Sequence, residues 1–333
     1  MSKILLTGGT GYIGSHTAII LQEKNYKIVL ADNLKNSSVD TVNKIKKITG
    51  KNVDFEHTEL TEYQQVKNLL EKNNFDVIVH FAALKNVFES IQNPFQYHYN
   101  NITSLLNLVR ASKEYNVKKF IFSSSCSVYG NPSYLPVDEK HPFNKAASPY
   151  AKTKQISEYI LEDSADDDFK VISLRYFNPI GTHESGLLGE QLLKNYNLIY
   201  YILQVALKKQ KYLNIYGNDY DTPDGTGIRD YIHITDVALA HWAALKRLEE
   251  NQTEKNYEAF NIGLGKGFSV LEIKNAFEKY TGITIPYRFA PRRKGDIAKI
   301  YASAELAKEK LKWEAKRNLQ QMIESSWNWT KLY

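Results

Sequence analysis

Three side chains near the middle of the sequence could move a proton together. The stretch Ser148-Pro149-Tyr150-Ala151-Lys152-Thr153-Lys154 contains a Tyr-x-x-x-Lys spacing. On a helix, residues i and i+4 share a face. An ammonium at Lys154 would then stand beside the phenol of Tyr150 and lower its pKa from about 10. A general base working near neutral pH becomes possible. Lys152 lies elsewhere on the same helix. Alone, this spacing usually marks a surface pair, and its position gives it weight. The helix follows an apolar run ending Phe122-Ser123-Ser124-Ser125. Hydroxyls at the C-terminal end of a buried parallel strand face the ligand crevice. Ser125 can then hydrogen-bond the oxygen that Tyr150 deprotonates.

A second group of residues could hold a phosphate. Thr7-Gly8-Gly9-Thr10-Gly11-Tyr12-Ile13-Gly14 follows an apolar run and opens an amphipathic one. Glycine lets the backbone turn tightly and approach a pyrophosphate, which then sits on a helix N-terminus. The spacing is G-x-x-G-x-x-G, and a lone glycine loop could be a plain tight turn. The next apolar run supplies its partner, ending Leu30-Ala31-Asp32-Asn33. Asp32 follows the glycines at close to the ~20 residues expected for an acid that binds the adenosine ribose. A carboxylate there accepts both ribose hydroxyls and repels a 2′-phosphate. The nearest cation is Lys35. The pattern favours NAD over NADP, against the plainer reading of Asp32 as a turn residue.

These groups need a scaffold, and the hydrophobic pattern provides one. Residues 3–7, 27–31, 53–56, 77–81, 120–124 and 171–176 are short, β-branched or aromatic, and read as buried strands. Helical patterns lie between them, over 12–24, 39–49, 63–73, 97–115 and 149–163. Such alternation predicts an α/β fold, a Rossmann-type doubly wound parallel sheet. After about residue 177 the rhythm breaks. Loops lengthen, and shorter helices follow near 270–280 and 304–311. This part is expected to be a smaller mixed α/β portion packed beside the sheet.

Composition narrows the class. The chain has 333 residues, 43% hydrophobic and 24% charged, which suits a core-forming globular protein. The longest apolar stretches are far shorter than a membrane span. The N-terminal apolar run is too short for a signal peptide. One cysteine, Cys126, forbids an internal disulfide and reads as small filler; these features point to the cytoplasm. The histidines lack metal-ligand spacing, and His80 reads as a satisfied core residue. The net charge of +6 is spread in small groups at helical spacing, so nucleic acid is not the expected partner. Only Arg292-Arg293-Lys294-Gly295-Asp296 is dense enough to hold an anion locally.

Glycine loop, acidic strand end, serine and Tyr-x-x-x-Lys, in this order, resemble the extended short-chain dehydrogenase/reductase family. Further blocks resemble its UDP-glucose 4-epimerases over essentially the whole chain. They are His80-Phe81-Ala82-Ala83-Leu84-Lys85, Ser123-Ser124-Ser125, Leu174-Arg175-Tyr176-Phe177-Asn178-Pro179 and Gly217-Asn218-Asp219-Tyr220, then residues 224–233 and 290–296. The resemblance implies a NAD-binding Rossmann domain over 1–177, carrying the Tyr150/Lys154 helix, and a nucleotide-sugar-binding domain over 178–333.

Position by position, the resemblance implies that Gly8, Gly11, Tyr12, Ile13 and Gly14 line the dinucleotide. Asp32, Asn33, Lys35, Asn36 and Ser37 would surround the adenosine ribose. Glu59 and Leu60 would flank the adenine, where the family more usually has Asp-Ile. Phe81, Ala82, Ala83, Lys85, Asn100 and Phe177 would approach the nicotinamide end, with Lys85 also reaching the substrate. Asn178, Asn197, Leu198, Asn214, Ile215, Tyr216, Arg229, Arg293 and Asp296 would hold the nucleotide sugar. Ile300 falls where the family bounds the pocket at the sugar's 2-position. Ser125, Tyr150 and Lys154 would touch cofactor and act in catalysis, Ser125 and Tyr150 also touching the sugar.

The implied reaction inverts C4 of a UDP-hexose through a 4-keto sugar, with NAD regenerated each turnover. The alternatives are epimerases of UDP-N-acetylglucosamine or of a UDP-uronate, or a non-catalytic NAD-binding scaffold. A 4,6-dehydratase would carry Asp-Glu after the catalytic Ser/Thr, where this chain has Cys126-Ser127. The resemblance also implies a homodimer through the 97–115 and 149–163 helices.

Overall fold

The computed structural model describes residues 2–190, 197–293 and 295–331. The six expected strands form as β1 (Lys3–Thr7), β2 (Lys27–Asp32), β3 (Asp54–His57), β4 (Val77–His80), β5 (Lys119–Ser125) and β6 (Lys170–Tyr176). Between them run α1 (Tyr12–Glu23), α2 (Asp40–Thr49), α3 (Tyr63–Lys72), α4 (Val87–Gln92), α5 (Pro94–Glu114) and α6 (Pro149–Ser164). Helix α5 begins three residues earlier than expected because Pro94 occupies its first position, where the missing N–H costs nothing.

Beyond β6 the chain forms β7 (Asn178–Ile180), α7 (Leu198–Ala206), β8 (Leu213–Tyr216), β9 (Ile228–His233), α8 (Ile234–Glu249) and β10 (Tyr257–Ile262). It continues through β11 (Gly267–Ser269), α9 (Val270–Thr281), β12 (Tyr287–Ala290), β13 (Lys299–Ile300), α10 (Glu305–Lys310) and α11 (Leu319–Thr330).

Seven strands build the main sheet in the order β10-β6-β5-β4-β1-β2-β3, with every neighbouring pair parallel. Chain direction across the sheet reverses between β1 and β4, the switch point where doubly wound sheets bind ligands. The strands are buried on both faces because side chains alternate. Ile4, Leu6, Val77, Val79, Ile121 and Ile172 pack with Ala18 and Leu21 of α1 and with Val237 and Ala244 of α8. Leu5, Val29, Ile78, Phe120 and Val171 pack on the other face with Leu69 of α3, Leu105 of α5 and Leu161 of α6.

The sheet draws on chain from both sides of residue 177. Strand β10 pairs with β6 along its whole length, from Tyr257↔Val171 to Ile262↔Tyr176. It was not among the expected strands because it is an edge: Tyr257, Glu258 and Ala259 are only half-buried, so the apolar signature is diluted. The smaller part has its own core around Ile202, Leu213, Ile215, Tyr231, Ile273, Phe277 and Met322. A third group, Val128, Tyr129, Val137, Phe177, Ile300 and Ala302, joins the two parts beneath the end of β5.

Candidate active site

The glycine loop turns against the end of β4. Gly8 has φ +69°, and a Cβ there would stand 2.6 Å from the Ala82 amide nitrogen. A Cβ at Gly14 would meet the Gly8 carbonyl oxygen at 2.5 Å. Only glycine fits either position. Gly11 is the N-cap of α1 and offers no side-chain cap, and the first turn carries no acidic residue. Its N–H groups are therefore open to an anion. This cradle fits a pyrophosphate. Tyr12 leaves the loop and donates to the Gly181 carbonyl at 2.5 Å, while Ile13 packs on the core.

Asp32 stands at the end of β2, beside the loop. It accepts from the Leu34 amide at 2.9 Å, the Ser37 hydroxyl at 3.0 Å and the Thr10 amide at 3.3 Å. Residues 33–37 therefore fold around the carboxylate, and exposed Asn36 lies within this turn. These surroundings suit a ribose diol. Glu59, expected to flank the adenine, is engaged by its own neighbours. Its carboxylate accepts from Lys35 Nζ at 2.7 Å, Asn33 Nδ2 at 3.0 Å and Thr61 Oγ1 at 2.9 Å. A longer acid than the usual Asp reaches its own neighbours. Leu60 is buried against the β2 side of the core.

Across the switch point, the Phe81 and Ala82 amides donate to the Thr7 carbonyl at 2.9 and 3.1 Å, which holds Ala82 against Gly8, with Ala83 and Lys85 following in the chain. Lys85 pairs with Glu190 at 2.6 Å, and Asn100 donates to Asn101 at 3.1 Å. Behind β1 and β4, buried His80 shares a 2.7 Å hydrogen bond with Thr7. Burial, with the Lys154 charge in second place, pushes its imidazole down to about 3.

The catalytic candidates come together at the end of β5. Ser148 caps α6 by accepting from the Ala151 amide at 3.1 Å, and Pro149 opens the helix, so Tyr150 falls in the first turn. Lys154 follows one turn later and is buried. Its Nζ donates to the Ser123 carbonyl at 2.7 Å and lies 6.0 Å from the Tyr150 ring centroid. Burial pushes the Tyr150 phenol up to about 12, opposed by the Ser125 hydroxyl. Burial also pushes Lys154 down to about 7, opposed by the Glu158 charge. The expectation that Lys154 lowers the phenol is thus outweighed in the protein by itself, because both groups leave water together and the ammonium is aimed at a carbonyl. Ser125 accepts from the Ser127 amide at 3.2 Å and caps the short turn Cys126–Tyr129. The Cys126 thiol is pushed up to about 12, chiefly by burial.

Sequence reasoning gave no role to the charges beneath this site. Glu158, one turn beyond Lys154, accepts from Arg175 Nη2 at 2.6 Å, from the Tyr257 hydroxyl at 2.7 Å and from Ser124. Arg175 Nη1 reaches the Tyr129 hydroxyl at 2.9 Å. An arginine inside an apolar strand was the available signal.

The proposed substrate residues lie on the other side of the crevice. Asn197 caps α7 through Tyr200, just ahead of Leu198, and donates to Glu190 at 2.7 Å. A narrow cleft lined by Tyr12, Gly181, Glu190, Asn197 and Tyr200 among others runs from the first turn of α1 to this cap. Asn178 opens β7, which pairs with β9. Arg229 on β9 donates to the Ile228 carbonyl at 2.8 Å, and Ile300 is its neighbour in register on β13. Arg293 pairs with Asp296 at 2.9 Å and lies 4.8 Å from the Tyr216 ring. Arg229 and Arg293 both act on the Tyr220 and Tyr231 hydroxyls, and Arg229 also on Cys126. Lys294 lies outside the described residues. Three expectations sit less simply. Ile215 points into the core, Ile300 packs beside Phe177, and Asn214 already accepts from Arg288 at 2.7 Å. Among the described residues no group of three or more His, Cys, Asp or Glu side chains is arranged to hold a metal ion.

The sequence and fold match known proteins along their length. The family model for GDP-mannose 4,6 dehydratase matches residues 5–326. The UDP-glucose 4-epimerase of Bacillus subtilis is 47% identical over 330 residues, covering 98% of this chain and 96% of that protein. The UDP-glucose 4-epimerase of Stenotrophomonas maltophila, solved with bound NAD and formylated UDP-arabinopyranose, superposes with a TM-score of 0.96 at 40% identity, covering 100% of this chain and 98% of that one. That of Bifidobacterium longum, solved with NAD⁺ and UDP, gives 0.94 at 43% identity, covering 99% and 98%. Similarity of this extent along nearly the whole chain makes this protein a member of the extended short-chain dehydrogenase/reductase family, in its UDP-glucose 4-epimerase branch.

Proposed function

We propose that the protein interconverts UDP-glucose and UDP-galactose by inverting C4 of the hexose, with NAD as its resident cofactor. The observation that carries this reading is the convergence of Ser125, Tyr150 and Lys154 at the end of β5, with the Arg229 charge near enough to act on the neighbouring Cys126. When bound, NAD would supply the hydride acceptor and donor for C4 and, while oxidised, a positive charge. Tyr150 takes the proton from O4 and returns it after the 4-keto sugar has presented its other face. Ser125 holds O4 by a hydrogen bond in both orientations. Because burial alone keeps Tyr150 protonated, the deprotonation needs positive charge beside it, and Lys154 is the chain's own contribution. Arg229 and Arg293 hold the diphosphate as the pivot, since a guanidinium pairs bidentately with phosphate oxygens.

The residues after Ser125 argue against a dehydratase. Cys126 is held protonated at neutral pH, and the buried Ser127 hydroxyl is not an acid. The test is incubation of purified protein with UDP-galactose, followed by product analysis. UDP-glucose should form without added cofactor, and reduced-nicotinamide absorbance should rise on the enzyme. Absence of both ends the proposal.

The same reading extends to a homodimer through α5 and α6. Phe95, 81% exposed, forms a stripe on α5 with exposed Tyr99 and Leu106, and Tyr159 is exposed on α6. Sedimentation should give twice the chain mass, and Phe95→Glu with Leu106→Glu should give the monomer. A cytoplasmic setting goes with these proposals, because one free cysteine needs no oxidising compartment.

A further inference from the structure

The loop that wraps Asp32 contains one cation, and another acid has already taken it. Residues 33–38 read Asn-Leu-Lys-Asn-Ser-Ser. Asp32 binds the turn from inside through Leu34 and Ser37. Lys35 leaves the turn and crosses to the end of β3, where Glu59 receives its ammonium at 2.7 Å. The Glu59 Oε2 that accepts from Lys35 also accepts from Asn33 Nδ2, and Asn33 Oδ1 accepts from the Lys35 amide at 3.1 Å. Glu59 Oε1 is held by the Thr61 amide and hydroxyl. The acid is thus fixed from its own strand end, and the exposed lysine is the partner that had to move. Burial alone would raise the Glu59 carboxyl, but the bonds from Lys35, Asn33 and Thr61 prevail and hold it down at about 2.

A cation in this turn matters because the ribose 2′-hydroxyl is what distinguishes NAD from NADP, and the residues after the β2 acid are where a 2′-phosphate finds its counter-charge. We propose that Glu59 is a cofactor-specificity residue: it keeps the Lys35 ammonium away from an incoming 2′-phosphate and so reinforces the selection of NAD that Asp32 begins. This rests on the NAD reading above. The arrangement is cheap to undo, since an ion pair with one highly exposed partner contributes little stability.

The test is binding rather than turnover. Dissociation constants for NAD and NADP are measured on protein freed of nucleotide, for wild type, Glu59→Gln, Lys35→Ala and the double variant. Gln at 59 keeps the Thr61 contacts and releases the lysine. The ratio of the NADP to the NAD constant should fall roughly five- to tenfold in Glu59→Gln, the scale of one extra charge contact near a surface. The double variant should return to the wild-type ratio, and Lys35→Ala alone should leave it unchanged. An unmoved ratio in Glu59→Gln overturns the proposal. So does a fall that persists in the double variant, because the effect would then be loss of repulsion by Glu59 itself. Should Glu59→Gln not fold, Glu59→Asp is measured instead: the shorter acid holds Lys35 less closely, and an unmoved ratio there also overturns the proposal. A wild-type ratio below one would instead defeat the NAD assignment, which separates the two failures.

Discussion

The two walls of the crevice hold their charges in opposite ways. On the wall formed by β5, β6 and α6, Glu158 and Arg175 are almost wholly buried and bond one another bidentately, with Tyr257, Ser124 and Tyr129 completing the set. The Tyr129 hydroxyl passes the chain on to Asn261 at 2.7 Å, so the network spans α6, β5, β6 and β10. No ligand competes for these contacts. On the wall formed by β8, β9 and the segment after β12, Arg292 pairs with Asp219 and Arg293 with Asp296 at the surface, and Arg229 leans on backbone carbonyls. On the proposed reading, a diphosphate takes the place of the partners of Arg229 and Arg293. The difference follows the tasks. A proton-transfer group must keep its geometry through both halves of an epimerisation, because small misplacements cost large factors in rate. An anion clamp must open and close. Buried pairs are costly to break and exposed ones are not, so each wall uses the kind its task allows.

The comparison can be broken most sharply at Tyr150. Tyr150→Phe should lower turnover roughly 10²–10⁴-fold, the usual worth of a general acid/base, while UDP binding stays as in wild type. Near-normal turnover would remove Tyr150 from the chemistry. Next comes the buried pair. Glu158→Ala leaves Arg175 uncompensated and should cost about 3–5 kcal/mol in denaturant unfolding. The exposed counterpart, Asp219→Asn, should cost little in the same measurement; equal losses would erase the contrast between the walls. Arg293→Ala should then raise KM for the UDP-sugar roughly 10- to 100-fold, as expected for losing hydrogen bonds to a charged group, with kcat little changed. A fall in kcat at constant KM would move Arg293 from clamp to catalyst.

Acid should weaken the molecule through its buried histidines. Burial holds His16 and His241 at about 4 and His80 and His233 at about 3. The unfolded chain takes up these protons as pH falls through about 6.5, and the folded chain does not until far lower. Stability contributed by the four neutral rings is therefore present above about 6.5 and lost as pH falls toward 4. Asp230 acts the other way. Burial, opposed by bonds from the Leu264, Ala302 and Gly265 amides, raises it to about 7, so the folded form takes up its proton first. Four groups outweigh one, and Tm of the cofactor-free protein should drop between pH 7 and pH 5. A Tm that rises over that interval would contradict these burials.

The smallest effect is expected where the walls meet. Ile300 pairs in register with Arg229 and packs beside Phe177. The wild-type protein should turn over UDP-galactose well and UDP-N-acetylgalactosamine more weakly. Ile300→Tyr should lower the second relative to the first by several-fold, within the ~1–3 kcal/mol range of one pocket group. An unchanged ratio would make Ile300 core filler only.

The sequence by itself determined whatever depends on short periods. Alternating apolar runs specified six strands, glycine spacing specified the cradle, and the i, i+4 rule put Tyr150 and Lys154 on one helical face. These follow from the backbone's own repeat, which is the same in every context. Tertiary structure decided the rest. Whether Lys154 lowers the Tyr150 phenol depends on how far both leave water, and burial prevails. Whether Arg175 is exposed depends on Glu158, and whether that pair is satisfied depends on Tyr257, far along the chain on a strand whose pattern did not announce it. Whether Lys35 is available depends on Glu59 at the end of a neighbouring strand. Charges act through distance and dielectric rather than through spacing along the chain, so their partners become known only once the sheet has brought distant residues side by side.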